Sequence, residues 1–109
     1  AGDDVDIGGD SADPTHDRIA MVGGDKLSGK VLSEEYTMET SYADMTFKSQ
    51  EVARIVFDVD GKNRDAIHLA NGDNITGTVT TKKIKLRLGN GSLVTLSVDK
   101  IKSIKYADR

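Results

Sequence analysis

The sequence has no cysteine, a single proline (Pro14) and only five aromatic residues among 109. Without cysteine there is no disulfide, no thiolate nucleophile and no cysteine-zinc site. The compartment stays open, because cytosolic and periplasmic chains alike can lack cysteine. So few aromatics leave an aliphatic core. No apolar run approaches the ~18 residues that a membrane span requires. Histidine is also scarce: His16 lies near the start and His68 in a strand-like stretch. No serine-histidine-acid or metal-ligand constellation stands out, so the chain reads as a non-enzyme without cofactor or metal.

What the sequence does contain, it contains twice. Gly24-Asp25-Lys26-Leu27-Ser28-Gly29 returns as Gly72-Asp73-Asn74-Ile75-Thr76-Gly77. At an offset of 48 residues, Asp17–Val22 lies over Asp65–Ala70, and Val31 over Val79. After one inserted residue the offset is 49, and Val52, Ile55 and Phe57 lie over Ile101, Ile104 and Tyr106. Apolar positions stay in phase throughout, which implies an internal duplication. Each repeat is near the lower size limit for an independent core. The repeats therefore share apolar surface or find it in another chain.

Residues 1–16 carry five aspartates and three glycines, and read as a disordered acidic head. The first repeat spans 17–58 and the second 65–109, with a linker at 59–64. Within 17–58 there are eight acidic and five basic residues; within 65–109 there are four acidic and eight basic. Such polarity between halves marks a charged partner or head-to-tail contact between copies. The chain begins at Ala1-Gly2 rather than Met, which fits either a processed export signal or an excised piece.

Short alternating runs bounded by glycine turns predict five strands per repeat. They fall at 18–22, 26–33, 36–40, 44–48 and 53–57, then 66–70, 74–81, 83–88, 93–97 and 103–106. Asn90-Gly91 is a hairpin turn signal. Gly29 inside the second strand predicts a sharp bend or bulge. The predicted core comprises Ile19, Met21, Leu27, Val31, Met38, Phe47, Ile55 and Phe57, and in the second repeat Ile67, Leu69, Ile75, Val79, Leu86, Leu96, Ile104 and Tyr106.

This pattern resembles the Sm-like small barrel. In that family an aspartate-glycine turn precedes a strand of the form x-x-x-Gly-x-aliphatic. Gly24-Asp25 with Gly29 and Val31, and Gly72-Asp73 with Gly77 and Val79, stand in those places. The wording around Asn71–Val79 and Thr40–Asp44 is also similar to soluble repeats found ahead of small outer-membrane barrels in bacterial envelope proteins. The resemblance covers residues 17–106 and implies an all-β fold of two tandem, five-stranded, strongly bent antiparallel barrels. It implies a periplasmic or cell-envelope setting, with the cytoplasm as alternative. The family's RNA site does not carry over. Its strand 2–3 turn is replaced by Glu34-Glu35-Tyr36 and Thr81-Lys82-Lys83, and its Arg-Gly element is absent from Ser49–Arg54 and Val98–Ser103.

The expected function is a protein-interaction or assembly module of an envelope protein, acting by edge-strand pairing and charge complementarity. The strands expected to present those edges are the fifth of each repeat: Arg54, Ile55, Val56 and Phe57, and Ser103, Ile104, Lys105 and Tyr106. The partner is a protein, self-association included. The alternative is nucleic-acid binding through Lys82, Lys83, Lys85 and Arg87, three of which alternate onto one strand face. Asp58-x-Asp60-Gly61-x-Asn63-x-Asp65 has part of a calcium-loop pattern, but its glycine is misplaced for an EF-hand and position twelve is Leu69. A plain turn between repeats is the preferred reading.

Overall fold

The structure, a computed structural model, describes residues 16–61 and 64–107. Ten antiparallel strands form one curled, half-barrel sheet. They are β1 (Asp17–Met21), β2 (Lys26–Val31), β3 (Glu35–Glu39), β4 (Asp44–Lys48), β5 (Val52–Val56), β6 (Asp65–Leu69), β7 (Asn74–Val79), β8 (Lys83–Leu88), β9 (Leu93–Ser97) and β10 (Ile101–Lys105). Single 3-10 turns at Ser49–Glu51, Val59–Gly61 and Val98–Lys100 are the only helical pieces among the described residues. Most of the head expected at 1–16, and Lys62 and Asn63 of the linker, lie outside the described residues.

The strand order is β4-β3-β7-β6-β5-β10-β1-β2-β8-β9. This corrects the expectation of two tandem barrels. The second strand of repeat one pairs not with its own third strand but with that of repeat two, Lys30 facing Arg87. Reciprocally, β7 pairs β3, with Met38 facing Val79. One half of the sheet is therefore β10-β1-β2-β8-β9 and the other β5-β6-β7-β3-β4. Each half takes its first two strands from one repeat and its other three from the other. A pseudo-two-fold runs through the β5–β10 pair, where Ile55 faces its own counterpart Ile104.

The connectors explain this exchange. The hairpin turns after β1, β6 and β8 each hold a glycine at positive φ: Gly24 at 102°, Gly72 at 99° and Gly91 at 89°. The β2–β3 and β7–β8 connectors, Leu32-Ser33-Glu34 and Thr80-Thr81-Lys82, contain no glycine, asparagine or aspartate. They offer neither the glycine of the turns after β1, β6 and β8 nor a side-chain-bonded turn like that of Thr40 with Ala43, and the chain continues extended into the other half. Short hinges of this kind favour strand exchange. Hydrogen bonds hold them there: Leu32 N–H to the Lys85 carbonyl and Thr80 N–H to the Thr37 carbonyl, both 2.8 Å.

The glycine of the doublet serves the same crossing. A Cβ on Gly29 would lie 2.0 Å from the Arg87 carbonyl oxygen, and one on Gly77 would lie 2.2 Å from that of Glu39. Each marks the point where a second strand meets the third strand of the other repeat.

One contiguous apolar cluster fills the curl. Most predicted core residues are in it, although Met21, Leu27, Leu69, Ile75 and Leu96 are only partly buried. Tyr36, Val52, Ala66, Ile84 and Ile101 are buried as well. No charged side chain is buried among the described residues. Asp17 and Asp65 brace the two halves in the same way. Asp17 accepts from Val31 N–H (2.9 Å) and Ala107 N–H (2.8 Å). Asp65 accepts from Val79 N–H (2.8 Å) and Asp58 N–H (2.9 Å). The donors are related by the same offsets of 48 and 49 as the repeats themselves.

Candidate interaction surfaces

The fifth strands do not present edges. β10 pairs β1 on one side and β5 on the other, and β5 pairs β6 as well. Arg54–Val56 and Ser103–Lys105 are thus at the centre of the sheet with their backbone groups bonded. Phe57 and Tyr106, just beyond, are buried, and their N–H groups bond to the Lys102 and Ala53 carbonyls at 2.9 and 3.0 Å. Strand exchange moves these residues inward, which the linear order of strands did not reveal.

The ends of the sheet are β4 and β9. The hydrogen-bond phase identifies which groups point outward. Ser49 N–H bonds to the Glu34 carbonyl and Thr40 N–H to that of Ala43. Antiparallel ladders alternate, so Met45 and Phe47 bond to β3, whereas Asp44 and Thr46 direct their backbone N–H to the outer side, and that of Lys48 donates to Glu51 Oε1 at 3.2 Å. At the other end Val98 N–H bonds to Lys82 O, and Leu88 N–H to Ser92 O. The same phase turns the N–H groups of Leu93, Thr95 and Ser97 outward. Thr46 and Thr95 are counterparts under the duplication, and both are exposed.

The two ends differ in charge. Outward-facing side chains of β3 and β4 include Glu35, Glu39 and Asp44 against one Lys48. Those of β8 and β9 include Lys83, Lys85 and Arg87 and no carboxylate. Three large apolar side chains are strongly exposed among the described residues: Val22, Tyr42 and Leu93. Tyr42 sits in the turn leading into β4, and Leu93 opens β9. An exposed apolar group therefore stands beside each open edge.

The positive charge extends beyond β8. Following the register from β7 through β6, β5, β10, β1, β2 and β8 to β9, the outward positions hold eight Lys or Arg and no Asp or Glu. No aromatic residue stands among them, so a base has no stacking platform there. Lys82 lies apart, on the connector into β8.

Lys82 and Lys83 border an open groove of about 850 Å³, lined also by Val22, Phe57, Asp99 and Lys102. Its lysines are matched by Asp58, Asp65 and Asp99, and both carboxylate oxygens of Asp65 are occupied by backbone N–H groups. In the Asp58–Asp65 segment, Asp58 at φ 52° and Gly61 at φ 68° reverse the chain. No group of three or more His, Asp or Glu among the described residues could hold a metal ion. His68 Nδ1 pairs with Asn74 Oδ1 on the neighbouring strand. No helix among the described residues is long and apolar enough to cross a membrane.

No protein-family model, no curated protein and no solved structure matches the chain.

Proposed function

We propose that this protein is a non-enzymatic assembly module that joins copies of itself by pairing the open edge of β4 with the open edge of β9. The observation that carries it is that, among the described residues, β4 and β9 each have a strand neighbour on one side only and carry opposite flanking charge at the two ends of one sheet. Edge N–H and C=O groups template strand addition. The acidic β3–β4 end and the basic β8–β9 end then select β4-to-β9 contact over contact between like ends. Such an interface is heterologous, so it grows head-to-tail until it closes or is capped. Tyr42 and Leu93 supply apolar contacts beside it. A bacterial envelope protein is the proposed setting, supported by the resemblance of the repeats.

Proline tests this directly, because at an outward-facing N–H it removes an edge donor without removing a ladder bond. The parent chain should associate with rising concentration and dissociate with rising salt, as read by light scattering. Thr46→Pro and Thr95→Pro should each be monomeric. Mixed together they retain one intact β4 and one intact β9, and should form a one-to-one dimer and nothing larger. A parent chain that stays monomeric at high concentration, or a mixture that does not pair, defeats the proposal.

A further inference from the structure

The centre of the outer face holds a row of basic side chains. Arg54 on β5 faces Lys105 on β10. Lys105 also faces Arg18 on β1, and Arg54 faces His68 on β6. Residues directly opposite on neighbouring strands share a face, with Cβ atoms about 5 Å apart. Tyr106 N–H bonds to the Ala53 carbonyl and Phe57 N–H to that of Lys102. The alternation makes Arg54 and Lys105 a non-hydrogen-bonded pair, the closer of the two pair types. Like charges directly opposite each other destabilise a sheet.

The duplication provides an internal control. Under the pseudo-two-fold, the Arg54–Lys105 pair maps onto Ser103–Val56, which also face each other. Arg18 and His68 map onto Ala66 and Ala20. The same backbone geometry is thus built once with basic side chains and once with small neutral ones, side by side. Beyond His68 and Arg18 the row ends in the uncharged Asn74 and Ser28.

We propose that this row is a binding site for a compact anion carrying several linked phosphoryl groups. Arg54 and Lys105 are its centre, and Arg18 and His68 flank them. Closely set cations match closely linked phosphates by charge-assisted hydrogen bonds, and guanidinium suits them particularly well. The absence of aromatics on this face means that the phosphates, not an attached base, are recognised. The bound anion offsets the repulsion between Arg54 and Lys105. The site is remote from the β4 and β9 edges, so it stands or falls independently of assembly.

The test uses the full chain with inorganic tripolyphosphate as probe at low salt, by calorimetric titration and thermal melting. The key variant gives the charged pair the residues of its neutral counterpart, Arg54→Ser with Lys105→Val. The control is Lys26→Ser with Lys30→Ser, which removes the same charge from the same face. Tripolyphosphate should raise the melting temperature of the parent more than monophosphate does at equal ionic strength. The key variant should bind it at least tenfold more weakly, and the control within about twofold of the parent. Without ligand, the key variant should melt higher than the parent at low salt, and this advantage should shrink as salt is added. Equal loss in both variants, no preference over monophosphate, or a key variant that melts lower than the parent at low salt would overturn the proposal.

Discussion

Tyr36 and Tyr106 meet in the middle of the apolar core with their hydroxyls hydrogen-bonded to each other. Their rings cross edge to face, 6.4 Å between centroids and 75° between planes. The duplication places Ile84 and Phe57 at the corresponding positions, so the fold accommodates an apolar pair there. Removing one hydroxyl leaves the other without this partner at a buried site, whereas removing both does not. Tyr36→Phe and Tyr106→Phe should each cost about 1–2 kcal/mol in urea unfolding. The double variant should cost less than the sum by at least about 0.5 kcal/mol. Strict additivity would mean that the hydroxyls are not coupled. At this scale the sequence was half legible. Tyr106 was assigned to the core from its match with Phe57. Tyr36 follows the charged Glu34-Glu35 in sequence, which hides its burial, although alternation puts it on one face with Met38. Asp17 and Asp65 were visible only as matching letters, because a carboxylate that accepts two backbone N–H groups leaves no sequence signal apart from its recurrence.

Among the elements, the strands were the most legible part, because alternation and glycine turns report on neighbours in sequence. The observed strands begin and end within about two residues of those predicted, as is usual for element boundaries. The length of the second strands was overestimated: Leu32-Ser33 and Thr80-Thr81 belong to the crossing connectors instead. The pattern predicts a bend at Gly29, and the structure shows a close backbone contact there. A methyl group there collides with the Arg87 backbone, which no flexible side chain can yield to. Gly29→Ala should therefore force the β2–β8 pair apart and destabilise the protein by several kcal/mol, on the order of an overpacked core position or more. Gly77→Ala should do the same at β7–β3. Gly23→Ala is the control, since a Cβ there meets nothing within 4 Å, and it should melt within a few degrees of the parent. The edges lie at β4 and β9 rather than at the fifth strands of the repeats. Which strand ends a sheet depends on pairing between distant segments, and local pattern carries no information about that. Lys83, Lys85 and Arg87 were correctly placed on one strand face, because period-two alternation suffices for it.

For the whole molecule, the duplication was legible and its consequence was not. Two matched repeats suggest two matched barrels, yet the sequence does hold the contrary sign in its connectors. The turns with a positive-φ glycine after β1, β6 and β8 all join strands that pair, whereas Leu32-Ser33-Glu34 and Thr80-Thr81-Lys82, without glycine, asparagine or aspartate, join strands that do not. Neither half of the sheet is complete without strands from both repeats, and the apolar cluster is continuous across them. A repeat on its own would leave β2 without β8, β3 without β7, and the fifth strand without its central partner. That exposes much of its apolar surface, at roughly 25 cal/mol for each Å². Residues 16–61 and 64–107, produced as separate chains, should thus be unfolded as monomers by circular dichroism and near-ultraviolet signals. Mixed in equal amounts, they should regain the strand spectrum of the parent with a second-order, concentration-dependent rate. Each repeat alone is also free to exchange strands with a second copy of itself, so light scattering must show that the isolated species under comparison are monomeric. Tandem barrels predict the opposite result: each fragment folds as a monomer, and mixing changes nothing. A cooperative melt for either monomeric fragment would show that a repeat can close upon its own strands, and that the interleaved sheet is one of two arrangements open to this sequence.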